Sequence, residues 1–188
     1  LLPSAQAPAA TSPAPPNAAS AATQAANAAV LSSLPFSDKQ DFEDAKRGFI
    51  APLPNKGIIK NAKGEPVWDL TRFSFIKQDA PAPDTVNPSL WRQSQLIIQG
   101  GLYKVVDGLY QVRTADLSNL TIFEGKDGLI IADPLISAET AKAALALYYQ
   151  HRPDLVAPVD EVLEAIPFYE GTGIIVNRRD QRIRAINI

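Results

Sequence analysis

The chain has 188 residues and a formal net charge of −2, with a sequence pI near 5.4. This balance gives no general attraction to phosphate backbones, so nucleic acid is not expected as a partner. The sequence contains no cysteine, which excludes disulfides, thiolate nucleophiles and cysteine-built metal sites. Its most apolar stretch, Gly128 to Ile136, is much shorter than the roughly 20 residues of a membrane-spanning helix, and we expect no membrane span.

Residues 1–30 consist almost entirely of Ala, Pro, Ser, Thr, Asn and Gln, and no charged residue precedes Asp38. Such a segment buries too little apolar surface to offset the entropy cost of ordering, which predicts disorder. The opening Leu1-Leu2, followed by Ala5-Gln6-Ala7, is compatible with the end of a signal peptide and its cleavage site. A plain Ala/Pro-rich linker is the alternative interpretation.

Residues 31–100 are predicted to form an amino-terminal arm with short helices. A mixed-charge helix is predicted from Asp38 to Arg47, and Gly48 ends it. The stretch from Phe49 to Pro88 is rich in Pro and Gly and has little periodicity, so we interpret it as an extended segment lying on another surface. A second helix is predicted from Asn87 to Leu96. The isolated aromatic anchors of the extended segment are Trp68, Phe73 and Phe75.

Residues 101–152 contain short runs of β-branched and aromatic residues, separated by glycine-containing turns. This pattern is typical of consecutive hairpin strands because glycine accepts positive φ in tight turns. Ser137 is then predicted to cap a helix from Ala138 to about Gln150. The predicted strands are Leu102–Val106, Leu109–Arg113, Leu120–Glu124 and Leu129–Ala132.

Residues 153–188 are predicted to form a helix and a hairpin that pairs Gly173–Val176 with Ile183–Ile188. Acidic residues one turn apart on the helix could do acid–base work, but we favour a solvated face. Arginines in the hairpin could bind an anion. Exposed edge strands also carry arginines, because their charge prevents aggregation through the strand edge, and we favour this second role. The acidic residues are Asp160, Glu161 and Glu164, and the arginines are Arg178, Arg179, Arg182 and Arg184.

Two further residues are candidates for chemistry. His151, the single histidine, ends the predicted helix, where a cation interacts favourably with the helix dipole. We favour this structural role over a Ser/His relay because the chain has no Gly-x-Ser-x-Gly turn. Asp133 ends a predicted apolar strand, and the ends of such strands commonly carry functional sites in layered α/β folds. A turn residue before Pro134 is an equally supported interpretation.

Specific motifs follow one another between Leu31 and Pro153. The most specific is Asp84-Thr-Val-Asn-Pro-Ser-Leu-Trp-Arg-Gln93. Others are Asp41-Phe-Glu-Asp-Ala-Lys-Arg-Gly48, Val67-Trp-Asp69, Leu109–Arg113, Leu117-Ser-Asn119, Glu124-Gly125, Asp133-Pro134, Ser137–Ala141 and Gln150–Pro153. In these motifs the chain resembles the amino-terminal part of bacterial alkyl sulfatases (linear primary-alkylsulfatases) of the metallo-β-lactamase superfamily.

The resemblance implies an α+β fold, namely the first sheet and first helix of an incomplete αββα sandwich, preceded by the arm. It also implies hydrolysis of alkyl sulfate esters by a zinc-activated water at two zinc ions, a homodimer, and a periplasmic or secreted location. Asp133 is implied as a residue that supports the metal site from beneath without binding the metal. Half a sandwich would leave one sheet face open.

The chain departs from the family pattern after Pro153, where the family carries a His-x-His-x-Asp-His loop. One histidine cannot build a zinc centre, so no catalytic and no metal-binding residue is assigned. We therefore expect this chain to be an inactive piece of a larger exported protein. The alternative hypothesis is a non-catalytic exported module that binds an anionic ligand or a protein partner through the basic hairpin.

Overall fold

The computed structural model describes residues 18–125 and 128–152, together with the backbone of residues 173–177 and 183–186. The helices are α1 (Ala21–Ser33), α2 (Gln40–Lys46), α3 (Pro88–Ile97) and α4 (Ala138–His151). The strands are β1 (Phe49–Ala51), β2 (Ile58–Lys60), β3 (Pro66–Asp69), β4 (Gly101–Val106), β5 (Leu109–Arg113), β6 (Leu120–Glu124), β7 (Gly128–Ala132), β8 (Gly173–Asn177) and β9 (Ile183–Ile186). Within these ranges no helix is long and apolar enough to cross a membrane.

A seven-stranded antiparallel sheet, in the order β1-β4-β5-β6-β7-β8-β9, organises the described residues. Strands β4 to β7 form consecutive hairpins as predicted, with Tyr110 opposite Ile122 and Ile122 opposite Ile131. Strands β8 and β9 form the predicted tail hairpin, and β8 pairs with β7. The combination of this sheet with separate helices confirms the α+β fold class.

Helix α4 covers one face of the sheet. Side chains alternate between the two faces of a strand, so alternate residues of β5, β6 and β7 point to the same face and join residues of the helix in one buried cluster. The rings of Tyr110 and Tyr148 pack edge to face, with their centroids 5.6 Å apart. Burial of each large apolar side chain stabilises the fold by about 1.5–3 kcal/mol. The buried residues of this layer are Tyr110, Val112, Leu120, Ile122, Leu129, Ile131, Ala141, Ala144, Leu145 and Tyr148.

The opposite face of the sheet is partly open in the described part of the chain. Strand β1 covers one corner, where Phe49 packs edge to face on Tyr103 and the Arg113 guanidinium lies 4.1 Å from the centre of the Tyr103 ring. Phe123 and Ile130 are paired neighbours on β6 and β7, and they are 43% and 37% exposed. An exposed apolar stripe of this kind is typical of a surface that another layer covers.

The arm adds to the main core instead of forming its own. Strand β1 pairs with β4, and the β2–β3 hairpin packs on α4. Ala51, Leu53 and Ile59 are buried in the same cluster as the residues beneath α4. The sequence did not predict the β2–β3 hairpin, because strands of three and four residues are too short to show periodicity.

Helix α1 corrects the prediction that residues 1–30 are disordered, which is wrong for residues 21–30. The prolines that argued against a helix end at Pro16, and alanine has the highest helix propensity. Ser20 caps the helix, because its side chain accepts a hydrogen bond of 3.2 Å from the Thr23 amide. The part of the predicted disordered segment before residue 18 lies outside the described residues.

Arg92 of α3 joins the arm helices. Its guanidinium pairs with the Asp41 carboxylate and donates to the carbonyl oxygens of Phe36 and Asp38. It also lies 4.8 Å from the centre of the Phe42 ring. Arg92 and Asp41 both belong to the motifs that carry the family resemblance, and here they hold α2 against α3.

Candidate functional site

Two irregular loops lie at one end of the sheet, and we call them the edge loops. Residues 114–119 join β5 to β6, and residues 133–137 join β7 to α4. Because neighbouring strands are antiparallel, the end of β5, the start of β6 and the end of β7 meet there. The register confirms this, with Thr121 opposite Ala132. Loops held by a rigid sheet commonly carry binding and catalytic residues.

The backbone of the edge loops is strained. Thr114, Asp133 and Leu135 have φ values of 64°, 53° and 75°, in the left-handed region that favours glycine. Each such residue costs of order 1–3 kcal/mol and persists only where its surroundings fix it. Strain of this kind clusters at functional sites, which makes this end of the sheet the candidate site.

Asp116 ties the two edge loops together. Its side chain is only 6% exposed. One carboxylate oxygen accepts a hydrogen bond of 2.9 Å from the Ser118 amide, and the other accepts one of 2.8 Å from the Ile136 amide. The Thr140 hydroxyl donates to that second oxygen at 2.9 Å. A single carboxylate thus fixes both loops and the first turn of α4.

Sequence reasoning did not single out Asp116. The available signal was the Asp-x-Ser pattern of residues 116–118. In such a pattern the aspartate side chain commonly accepts a hydrogen bond from the backbone amide two residues later. That pattern predicts a local turn but not the contacts with Ile136 and Thr140, which lie 20 and 24 residues further along the chain.

Ser137 caps α4 as predicted. Its hydroxyl accepts a hydrogen bond of 3.1 Å from the Thr140 amide, and the Thr140 hydroxyl accepts one of 3.3 Å from the Ser137 amide. The two residues therefore form a reciprocal capping box. Because Thr140 also binds Asp116, the start of the helix and the edge loops are one hydrogen-bonded unit.

Thr114 is held from the amino-terminal side of the molecule. Its hydroxyl donates to the Ile97 carbonyl at 2.8 Å, at the end of α3. Its own carbonyl oxygen accepts a hydrogen bond of 3.0 Å from the indole nitrogen of Trp68, on β3. The arm and the sheet therefore both contribute to the geometry of this loop.

The edge loops also expose two large aliphatic side chains. Leu117 is 80% exposed and Ile136 is 50% exposed. Both flank Asp116, since Leu117 follows it in the chain and the Ile136 amide donates to it. The carboxylate therefore holds the backbone that carries these two solvent-facing apolar side chains.

Asp133 lies where the sequence predicted, directly after β7. Its side chain is exposed and accepts a weak hydrogen bond of 3.4 Å from the Leu135 amide. This contact matches the interpretation of Asp133 as a turn residue before Pro134. The role beneath a metal site stays a prediction, because the residues that would complete such a site are not among those described.

His151 is the last residue of α4, at the helix end where it was predicted, and it is exposed. Helix α4 has 14 residues, which places His151 about 20 Å along the helix from the edge loops. The structure therefore does not bring His151 and Asp133 together. The other candidates of the sequence lie outside the described residues or, for Arg184, are described as backbone alone: Asp160, Glu161, Glu164, Arg178, Arg179, Arg182 and Arg184.

The other end of the sheet is closed by an ion pair. Glu124, at the end of β6, accepts hydrogen bonds of 2.8 and 2.9 Å from the Arg152 guanidinium and one of 2.8 Å from the Tyr148 hydroxyl. Burial, followed by the hydrogen bond to Glu124, raises the pKa of Tyr148 far above its usual value. Among the described residues, this end consists of the last residues of β6 and α4, and we assign it a role in packing.

The described residues do not fit a zinc centre of the kind that the resemblance implies. Such a centre needs several imidazole, thiolate or carboxylate ligands around each ion. Across residues 18–125 and 128–152, no group of three or more His, Asp or Glu side chains lies close enough to hold a metal ion. The ordered groups of the edge loops, Asp116 above all, are already engaged with backbone and hydroxyl donors.

Comparison with known proteins identifies the class. No family model matches the chain. The chain is 54% identical over 170 residues to a linear primary-alkylsulfatase of Pseudomonas sp.. This match covers 89% of this chain and 25% of that protein. It is 56% identical over 135 residues to an (R)-specific secondary-alkylsulfatase of Pseudomonas sp., with 72% and 20% covered. The solved structure of a stereoselective inverting sec-alkylsulfatase from Pseudomonas sp. superposes with a TM-score of 0.68 at 55% identity, covering 75% of this chain and 22% of that one. These relatives are all sulfatases.

With this identity and this shared fold, the chain belongs to the alkylsulfatase family, as its motifs indicated. It spans a quarter or less of the length of these relatives. The match of 170 residues is longer than the stretch from Leu31 to Pro153. Because 89% of the chain is covered, at most about 21 of its 188 residues lie outside this match, so the similarity extends beyond both Leu31 and Pro153. The prediction that the chain departs from the family directly after Pro153 is therefore wrong.

Proposed function

We propose that this chain supplies the edge loops to the active site of an alkylsulfatase, and that the complete protein hydrolyses alkyl sulfate esters. The observation that carries the proposal is identity above 50% to two alkylsulfatases, together with the fold of a solved sec-alkylsulfatase. The edge loops are the part of the described chain where strained backbone and a buried carboxylate coincide, which supports a role for them at the site.

The exposed aliphatic side chains of the edge loops suit the apolar part of such a substrate. An alkyl sulfate combines an anionic head with a hydrocarbon tail, and each buried methylene of the tail contributes about 0.8 kcal/mol. Leu117 and Ile136 are exposed, and the backbone that carries them is held by Asp116 through the Ser118 and Ile136 amides. In the complete protein these two side chains would contact the tail next to the sulfate ester.

The bond-breaking step requires groups that this chain does not itself bring together. The resemblance implies two zinc ions, which would activate the attacking water. Their ligands would come from parts of the complete protein beyond the described residues, and Asp133 is the residue here that we propose to support them. Alone, the chain is expected to bind no zinc tightly and to release no sulfate. A zinc titration by calorimetry that gave stoichiometric nanomolar binding would contradict this expectation.

Location and assembly are proposed from the same resemblance. The complete protein would be periplasmic or secreted and would form a homodimer. Cell fractionation tests the first property, and light scattering of the purified complete protein tests the second. A cytoplasmic pool alone, or a mass of one subunit at micromolar concentration, would contradict the respective proposal.

The decisive test is a chimera. The segment of the (R)-specific secondary-alkylsulfatase that this chain matches would be replaced by the corresponding residues of this chain, which are 56% identical. We expect the chimera to release sulfate from a secondary alkyl sulfate, because the grafted edge loops keep the geometry that Asp116 imposes. Sulfate release by ion chromatography gives the rate, and the unmodified relative and this chain alone are the controls.

Two outcomes would count against the proposal. A chimera that folds, by circular dichroism and gel filtration, but releases sulfate only at the buffer rate would show that the segment does not serve this reaction. Sulfate release by the isolated chain, in proportion to its concentration, would show that the assignment of the zinc ligands to other parts of the protein is wrong.

A further inference from the structure

The chain contains two tryptophans whose indole groups make similar hydrogen bonds in different places. Trp68 donates to the carbonyl of Thr114 at 3.0 Å, and Trp91 donates to the carbonyl of Ala80 at 2.8 Å. The Trp91 bond lies within the arm. The Trp68 bond crosses from the arm to the first residue of an edge loop, 46 positions away in the chain.

Thr114 is a residue whose conformation must be imposed from outside. It is β-branched and has a φ of 64°, which such a side chain rarely adopts. On one side Gly100 approaches so closely that a Cβ there would lie 3.0 Å from the Thr114 Cβ. The Thr114 hydroxyl is bonded to Ile97, and its carbonyl is bonded to Trp68. Three contacts from two segments, β3 and the end of α3 with the residues that follow it, thus fix one strained residue.

The position of Thr114 is passed on through the loop. Asp116 follows two residues later, and its carboxylate holds the amides of Ser118 and Ile136. A shift of the Thr114 carbonyl would therefore move the carboxylate on which both edge loops depend. The Trp68 indole acts at the start of this series of contacts.

We propose that Trp68 is a positioning residue for the edge loops. Its indole N–H fixes the Thr114 carbonyl, and through Asp116 it orders the surface that carries Leu117 and Ile136. The contacts alone support the role of Trp68 in ordering the loops. The effect of this ordering on a substrate rests on the proposed function, and separate measurements test the ordering and the effect on substrate.

The substitution that isolates the hydrogen bond is Trp68→Phe, with Trp91→Phe as the matched control. The Trp68 ring is half-buried, sits opposite Ile59 in the β2–β3 hairpin and lies 6.4 Å from the Phe73 ring. Phenylalanine keeps an aromatic ring in both places and removes the donor. The two variants therefore lose the same kind of bond, one to the edge loops and one within the arm.

The readout is amide hydrogen exchange of the chain by NMR. In Trp68→Phe, the amides of Ser118 and Ile136 should exchange roughly fivefold faster, as expected for the loss of one hydrogen bond that holds the loops closed. In Trp91→Phe these amides should exchange at the original rate. Equal acceleration in both variants, or no acceleration in Trp68→Phe, would overturn the proposal.

The unmodified protein provides a second measurement should Trp68→Phe fail to fold. If the indole holds the loops, the Trp68 N–H and the Ser118 and Ile136 amides open together and share one protection factor. The Trp91 N–H should have a different one. Protection of the Trp68 N–H that is unrelated to the loop amides would overturn the proposal.

The catalytic consequence is measured in the chimera. Trp68→Phe should lower kcat/KM for an alkyl sulfate about fivefold, whereas Trp91→Phe should leave it unchanged. An unchanged kcat/KM in Trp68→Phe would overturn the catalytic part. If the loop amides respond as expected but no chimera ever releases sulfate, the proposed function fails and the positioning role of Trp68 stands.

Discussion

Two carboxylates, the partly buried Glu124 and the buried Asp116, lie at opposite ends of strand β6 and have different roles. Glu124, at its end, accepts three hydrogen bonds, two of them from the cationic Arg152. Asp116, just before its start, also accepts three, but all from neutral donors. Among the described residues, the ends of β6 and α4 lie next to Glu124. Strained backbone at Thr114 and Asp133 surrounds Asp116.

The comparison shows that one carboxylate contributes mainly to stability and the other mainly to loop geometry. Glu124, with its charged partner, adds stability to helices and strands whose shape their own hydrogen bonds already determine. The neutral donors at Asp116 belong to loops that have no regular hydrogen bonds of their own, so the carboxylate replaces the missing secondary structure. Binding sites commonly use loop conformations that are unfavourable by themselves. We therefore expect such a site to need a residue like Asp116, which imposes the loop conformation.

The largest effect is expected for Asp116→Ala. It removes the acceptor of the partly buried Ser118 and Ile136 amides. It also removes the buried acceptor of the Thr140 hydroxyl, which keeps the Ser137 carbonyl oxygen at 3.0 Å as a second acceptor. We expect the free energy of unfolding to fall by about 3–4 kcal/mol. Asp116→Asn keeps one accepting oxygen and should cost about 2 kcal/mol. Urea unfolding followed by circular dichroism measures both changes.

The matched control is Asp69→Ala in the arm. The Asp69 carboxylate accepts from the amide and the hydroxyl of Thr71, two residues away, and joins no separate segments. Its loss should cost about 1 kcal/mol. If Asp69→Ala destabilised the chain as much as Asp116→Ala, the special role of Asp116 would be refuted.

A smaller effect is expected for Glu124→Gln at the other end of the strand. The side chain of Arg152 is 40% exposed, so solvent screens the ion pair. The amide oxygen of glutamine still accepts from Tyr148, and the loss should be about 1–2 kcal/mol. Exchange of the Ser118 and Ile136 amides should not change. Accelerated exchange there would show that the two ends are coupled and would remove the distinction between them.

The sequence predicted the helices and strands of the molecule much better than the contacts that join separate segments. Strands β4 to β7 and helix α4 follow from alternating and helical patterns within single segments, and Ser137 as the helix cap follows from its position alone. The strained edge depends on contacts such as that between Asp116 and Ile136, which join separate segments. A pattern within one segment carries no information on such contacts.

One wrong prediction and one that left two interpretations open show the same limit. The composition of residues 1–30 indicated too little apolar surface for folding, but α1 buries no residue and relies on alanine propensity and the Ser20 cap. Asp133 was predicted at the strand end and lies there, but its side chain bonds a local amide. The place of a residue in the fold was easier to predict than its contacts.

Tyr148 gives a pH-dependent test of the Glu124 end. Burial raises the pKa of Tyr148, so folding favours the neutral phenol. The contribution is fully present below the unfolded value near 10 and is lost as pH rises above it. Stability should therefore fall by up to about 1.4 kcal/mol per pH unit above pH 10 from this group. Tyr148→Phe should flatten the loss.

Tyr103 is the control for that measurement, because burial also raises its pKa on the other face of the sheet. Tyr103→Phe should also reduce the loss of stability above pH 10, and the reductions caused by the two substitutions should be additive. Urea unfolding at pH 9, 10 and 11 gives the slopes. A slope that Tyr148→Phe leaves unchanged would mean that the phenol ionises as easily in the folded protein as in the unfolded chain.

The smallest effect tests whether the Asp116 end depends on the carboxylate or on ordinary helix capping. Ser137→Ala removes the acceptor of the Thr140 amide, which should cost about 0.5–1 kcal/mol. The cost should stay small because Asp116 still binds the Thr140 hydroxyl and the Ile136 amide. Ser20→Ala removes the equivalent cap of α1, which buries nothing, and should change the unfolding free energy less. If Ser137→Ala loosened the loop amides as much as Asp116→Ala does, the helix cap and not the buried carboxylate would set the shape of this end.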